Sequence, residues 1–227
     1  MSTVRFGVDE AGKGPVLGSM FAAAVLASPD TVPDAVADSK TLSSERRETL
    51  AATLREDDRV AIGVAEIPVG RIDAPETDMN TLTVEAQADA LAAVVEAGAS
   101  SGAADPEDEL TGIVDAGDTD AARFGRRVAD GVPFEVEIQA EHGADETYPI
   151  VSAASIVAKV ERDAHVSALA DEYGDVGSGY PSDPTTREFL STYVEAHGEL
   201  PPVARESWQT SRDVLAAAEQ SSFDAFE

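Results

Sequence analysis

The chain has 227 residues, 43% of them hydrophobic and none of them cysteine, so it can bury the core of one moderate domain, while disulfides and thiolate metal sites are excluded. Acidic residues number 44 against 16 basic ones, for a formal net charge of −28. No apolar run approaches the roughly 20 residues needed to cross a bilayer, and no signal-peptide pattern opens the chain, so a cytoplasmic protein without membrane contact is expected.

In chain order, Val4 to Val8 reads as a strand and Met20 to Leu26 as its hairpin partner, with "GVDEAGKGPVLG" at the mouth. Ser43 is placed to cap a helix over Glu45 to Arg55, with Glu45 in the favourable first turn. Arg59 to Ile67 reads as a strand. Val84, Ala88, Leu91 and Val95 form the stripe of an amphipathic helix. "GASSGAADPEDEL" (98–110) has the composition of a loop. "TGIVDAGD" gives a short strand running into Asp115, and "FEVEIQA" alternates like a strand exposed on one face.

The longest helical signal follows. Ile150, Ala153, Val157, Val160, Ala164 and Ala168 step by three or four, and Gly174 is a natural stop. After the loop "GDVGSGYPSDP" come a helix near Thr186 to Ala196, closed by Gly198, and a final alanine-rich helix. Interleaved strands and helices with an early hairpin predict an α/β fold with a mixed sheet.

The acids are spread along the whole chain, which argues against a disordered acidic tail and for a folded protein adapted to molar salt. At about 1 M salt the Debye length is roughly 3 Å, so such a surface no longer repels itself strongly. Acidity of this kind normally argues against a nucleic-acid partner. In molar salt counterion release contributes little, so net charge decides nothing about that partner.

Acidic pairs arise by chance in such a chain, but Asp9, Glu10 and Asp115 each follow an apolar strand. A carboxylate at the end of a buried strand is costly to desolvate without a partner. If the two strands are neighbours, the converging carboxylates call for a hard divalent cation. Adjacent strand residues face opposite ways, so Glu10 joins Asp9 only if the strand breaks, and Ala11-Gly12 offers the break. The competing reading makes all three caps or solvated turn residues.

Gly12 and Gly14 permit a close backbone approach to a phosphate or sugar hydroxyl, although "GKG" matches neither a P-loop nor G-x-G-x-x-G, and a tight turn accounts for it equally. The chain keeps only three lysines. Lys13 and Lys40 are placed to meet a polyanion, while Lys159 is expected to pair with Glu161 or Asp163. His142, His165 and His197 are scattered, which argues against zinc, and the absence of G-x-S-x-G argues against a serine hydrolase.

"GVDEAGKGPVLG", "DSKTLSSERR", "IVDAGD", "HGADETYPIVSAASIVAKVERD", "EYGDVGSGYPSDPTTREFL" and "AHGELPP" together resemble, in that order, the motif series of ribonuclease HII, the type-2 ribonuclease H of archaea and bacteria. The likeness spans Val4 to Trp208 and is similar to the archaeal branch. It implies a ribonuclease H-like mixed sheet flanked by helices, a catalytic domain over 1–170 and a small C-terminal helical extension over 171–227 that contacts substrate. The implied activity is endonucleolytic cutting of the RNA strand of RNA/DNA hybrids and of ribonucleotides embedded in duplex DNA, leaving 5′-phosphate and 3′-hydroxyl ends.

Asp9, Glu10, Asp115 and Asp145 are the implied catalytic carboxylates, holding two Mn²⁺ or Mg²⁺ ions, with Asp163 the rival for the fourth place. Gly12, Lys13 and Gly14 match an element whose backbone reads the ribose 2′-hydroxyl, which distinguishes RNA from DNA. Tyr180 matches a tyrosine stacked at the RNA–DNA junction, and Lys40 matches a phosphate-contacting lysine. Lys13 stands where arginine is commoner, which weakens planar bidentate contacts but not backbone readout. Gly143 stands where lysine is frequent. A halophile's monomer is expected, with "SSFDAFE" either a frayed terminus or a docking tail for a sliding clamp. Two readings of other classes are a nucleotide-dependent phosphotransferase on a related α/β scaffold and a non-catalytic acidic binding protein.

Overall fold

A computed structural model describes residues 5–28, 30–33, 35–36, 42–103 and 109–224. Its elements are β1 (Arg5–Ala11), β2 (Met20–Ala27), α1 (Ser44–Glu56), β3 (Ala61–Ile67), α2 (Val69–Ile72), α3 (Met79–Ser101), β4 (Thr111–Asp115), α4 (Ala121–Asp130), β5 (Glu137–Glu141), α5 (Ala144–Thr147), α6 (Pro149–Tyr173), α7 (Pro184–His197) and α8 (Gln209–Asp224). The chain forms two compact units. One comprises Met1–Ala11, Phe21–Glu66 and Met79–Glu161; the other comprises Gly12–Met20, Ile67–Asp78 and Arg162–Glu227.

The first unit is built on a five-stranded mixed sheet of order β3-β2-β1-β4-β5. β1 and β2 pair antiparallel, as the hairpin reading expects, while β4 runs parallel to both β1 and β5. β2 is buried along its whole length, which is why "MFAAAVLA" is apolar without alternation. Ala23, Val25 and Ala27 of β2 share one cluster with Leu50, Ala51 and Leu54 of α1 and with Ala153, Ile156 and Val157 of α6. β5 has a neighbour on one side only, and its side chains alternate between exposed and half-buried.

Close packing on the sheet depends on missing side chains. A Cβ on Gly7 would lie 2.5 Å from the backbone of Ile150, and one on Gly63 would lie 2.3 Å from the Ala90 carbonyl and the Val94 amide. Those glycines let α6 approach β1 and α3 approach β3 at backbone distance.

Ser43 caps α1, its hydroxyl accepting from the Arg46 amide at 3.3 Å. Gly174 and Gly198 follow α6 and α7 in left-handed conformation, as expected of helix stops. Three expectations need correction. α3 continues through Gly98 to Ser101, because Gly98 is buried in its last turn; of the loop expected there, 104–108 lie outside the described residues. The expected stripe of α6 ends at Val160: Val151 to Ala158 are buried on every side, whereas Ala164 and Ala168 are exposed. β5 begins at Glu137, three residues after Phe134.

α4 is an element the sequence reading did not anticipate. Asp120 caps it by accepting from the Arg123 amide at 2.9 Å, and Phe124 and Val128 bury its inner face. The signal was an Asp cap followed by an i, i+4 apolar pair, in a helix of only ten residues.

The second unit gathers Val16, Leu17, Leu169, Val176, Leu190 and Ala204 into its own cluster. Tyr173 and Phe189 pack against it; Tyr173 meets Phe189 and Tyr193 edge-on, with ring centroids 6.2 and 6.3 Å apart, and Phe189 lies tilted to Tyr193 at 6.1 Å.

Candidate functional site

Two groups of residues stand out, one in each unit. In the first, β1 carries Asp9 and Glu10. Pairing continues regularly through Glu10 with Ala22 and Ala11 with Phe21, so the chain breaks at Gly12, after Glu10, and not between the two acids. The acids therefore leave the strand on opposite sides, yet the Glu10 charge still reaches Asp9 and raises its carboxyl. Asp9 shares the face of Gly7 and follows α6: Gly7 meets Ile150, and Asp9 is hydrogen-bonded by Ser155. Gly7 also meets the Val151 amide; two strand residues rise about 6.6 Å and the four helical residues from Val151 to Ser155 about 6 Å, so the two contacts stay in step. Glu10 meets α3, where Gln87 donates to its Oε2 at 2.6 Å.

Asp115 arrives on the neighbouring strand. Val8 pairs with Val114 in parallel register, which places Asp9 and Asp115 at equivalent positions one residue further on. Its Oδ1 accepts from the Ala144 amide at 2.8 Å, and its carbonyl accepts from Gln87 Nε2 at 2.9 Å. Asp145, the next residue after Ala144, is 6% exposed. Gly143 precedes them in left-handed conformation, with open space around a would-be Cβ. Asp163, by contrast, pairs with Arg162 at 3.4 Å in the other unit.

Asp9 is 5% exposed, and its carboxyl is held well above the usual carboxylate range. Burial is the main cause; like charge from Glu10 and Asp115 adds to it, and the Ser155 hydrogen bond opposes it. Among the described residues no three His, Asp or Glu side chains are grouped as a bound ion would hold them. The donor set nevertheless fits a hard divalent cation: carboxylate oxygens from two adjacent strand ends press on one another, and the buried Oε1 of Gln87 has no hydrogen-bond partner.

Gln87 is fully buried and links Glu10 to Asp115, yet the sequence reading passed over it. A glutamine on an amphipathic helix carries no local signal. Lys159 also departs from expectation. Its Nζ donates to Ser155 Oγ at 2.7 Å, while Glu161 goes to Arg55 and Asp163 to Arg162. The hydroxyl that bonds Asp9 is thus itself held by an ammonium. Lys40 lies outside the described residues.

In the second unit, Gly12 has φ +92°, the left-handed region that favours glycine, and a Cβ there would press on the Ser19 carbonyl at 3.1 Å. Lys13 is half-buried and Gly14 exposed. Tyr180, 40% exposed, stands so that its ring would lie 3.7 Å from a Cβ on Gly14. The Arg162 guanidinium lies 5.0 Å from the centroid of that ring and also donates to the Ser178 carbonyl. The Gly179 carbonyl accepts from the amides of Val16 and Leu17 at 2.8 and 3.2 Å, wiring the tyrosine loop to the glycine segment.

A sequence model of the family Ribonuclease HII matches residues 6–211. The chain is similar to a ribonuclease HII of Haloarcula marismortui, 65% identical over 98% of this chain and 100% of that protein. Among solved structures it resembles ribonuclease H2 from Pyrococcus horikoshii OT3, with a TM-score of 0.84 and 34% identity, covering 96% of this chain and 100% of that one. It also resembles a chain of the PCNA:RNase HII complex from Archaeoglobus fulgidus, with a TM-score of 0.78 and 34% identity over 92% and 96% of the two chains.

Proposed function

The chain belongs to the ribonuclease HII family, in its archaeal branch, and is an endonuclease of RNA strands; from that membership we propose how its own residues divide the work. The substrates are RNA/DNA hybrids and duplex DNA with embedded ribonucleotides, cut to 5′-phosphate and 3′-hydroxyl ends. Asp9, Glu10, Asp115 and Asp145 hold two divalent ions, Mn²⁺ or Mg²⁺. Ions bound there supply neutralisation of the scissile phosphate and a more acidic attacking water. Asp9 and Asp115 contribute from adjacent strand ends, and Gln87 fixes the Glu10 carboxylate against the backbone of Asp115.

Gly12, Lys13 and Gly14 contact the ribose through their backbone, Tyr180 stacks at the junction with Arg162 beneath it, and Lys40 meets phosphate. In this division 1–170 carries the cutting chemistry, and 171–227 adds contact to the duplex. The protein acts as a cytoplasmic monomer, and the C-terminal tail docks on a sliding clamp, as the Archaeoglobus complex suggests. Among the described residues no helix is long and apolar enough to cross a membrane. The phosphotransferase alternative finds no support in the relatives.

The observation that carries the reading is the buried Asp9 carboxyl, pressed by like charge from Glu10 and Asp115. The test is incubation in high KCl with Mn²⁺ and a DNA duplex holding one ribonucleotide. Wild-type protein is expected to make a single cut beside the ribonucleotide, and Asp9→Asn to abolish cutting while retaining duplex binding. Near-wild-type turnover by that variant would overturn the carboxylate assignment.

A further inference from the structure

Arg205 is an arginine with no exposed surface. No ion pair with a carboxylate accounts for it among the described residues; its donors go to backbone instead. Nε donates to the Gly18 carbonyl at 2.9 Å, Nη1 to Lys13 at 3.1 Å and Nη2 to Gly12 at 2.7 Å. Trp208 stands beside it, the guanidinium carbon 4.8 Å from its ring centroid, and its Nε1 donates to the Gly14 carbonyl at 3.1 Å. Four carbonyls of the glycine segment are thus held by two side chains.

The turn that carries them is pinned in its own right. Asp73 accepts from the Glu206 amide at 2.8 Å, from the Ser207 amide at 3.0 Å and from the Ser207 hydroxyl. Burial pulls the Arg205 guanidinium down to about 10 while the Asp73 charge pulls the other way, so it stays charged at neutral pH.

A planar trans peptide sets the amide of one residue opposite the carbonyl of the residue before it. Fixing the carbonyls of Gly12 and Lys13 on Arg205 therefore turns the amides of Lys13 and Gly14 away from it. Among the described residues the Gly14 amide has no acceptor. Residue 15 is a proline, so the plane held by Trp208 presents no amide of its own. A buried positive charge behind these peptide groups also polarises them, making the outward amides better donors.

We propose that Arg205 and Trp208 are positioning residues for ribose recognition, holding the Gly12–Gly18 backbone so that the Gly14 amide stands ready for a 2′-hydroxyl. This rests on the reading of Gly12 to Gly14 as the ribose-contacting segment. The clasp acts before substrate arrives, so its loss weakens recognition and not the chemical step.

The experiment compares wild type, Trp208→Phe, Arg205→Lys and Gly14→Val. It measures steady-state cleavage of a duplex with one ribonucleotide and competition by an all-DNA duplex of the same sequence. Trp208→Phe keeps an aromatic ring over the guanidinium but loses the donor, and is expected to raise KM by roughly fivefold, the scale of one lost hydrogen bond. Its kcat and the inhibition constant of the DNA duplex should stay near wild type. Arg205→Lys, if it folds, should raise KM further; if it does not fold, Trp208→Phe carries the test alone. Unchanged KM in a folded Trp208→Phe, or KM and the inhibition constant rising together, would overturn the clasp. Gly14→Val separates the two claims: if it also leaves discrimination intact, the ribose reading of the segment fails as well.

Discussion

Asp9 is the residue on which the electrostatics converge. Burial and the like charge of two neighbouring acids push its carboxyl upward, so ionising it in the folded protein costs free energy. For an acid whose folded pKa is raised, the charged form costs stability above that pKa, and the cost is relieved as pH falls through it. Asp9→Asn, measured without divalent cations at neutral pH, should therefore raise Tm by roughly 2–4 °C for each kcal/mol relieved. The gain should shrink as pH is lowered, and a gain that grows on acidification would contradict this account. Gln87 makes a second test at the same site. Gln87→Leu removes the donor shared by Glu10 and Asp115 and should weaken Mn²⁺ binding, read by calorimetry in KCl, by about 10–100-fold. Asp9 and Asp115 were legible as acids closing apolar strands. Gln87 and Arg205 were not, because their meaning lies in partners 77 and 187 residues away.

Elements place these residues through backbone packing. Gly63 brings α3 against β3, and α3 carries Gln87 to Glu10. Gly63→Ala puts a methyl group 2.3 Å from the Ala90 carbonyl and should cost about 1–3 kcal/mol or more, seen as a lowered denaturation midpoint. An unshifted midpoint would show that α3 can withdraw freely. Most elements were readable where pattern and caps agreed, as with Ser43 before α1 and Gly198 after α7. α4 escaped because only two of its ten residues, Phe124 and Val128, are large and apolar. Periodicity misled in α6, where burial from several sides erased any stripe and small alanines at 164 and 168 mimicked one on an exposed face. The break after β1 was readable in composition, but only pairing fixed it at Gly12, past both acids.

At the scale of the whole molecule, 44 acids against 16 bases make salt part of the stability. Lowering KCl from molar concentration to about 0.1 M lengthens screening from roughly 3 Å to 10 Å and exposes like charges to one another. Tm should fall by roughly 10 °C, equivalent to a few kcal/mol at this chain length. A flat salt dependence would mean that the acids are dispersed too well to repel. Composition alone carries this expectation, and the chain is 65% identical to a ribonuclease HII of Haloarcula marismortui.

The chain holds a single tryptophan, and it is the one hydrogen-bonded to Gly14 beside a buried cation. Its ultraviolet emission, free of any other indole, is therefore a native optical gauge of that one loop. Titrating unlabelled protein with nucleic acid in a fluorimeter follows the peptide segment itself, with no dye and no engineered reporter.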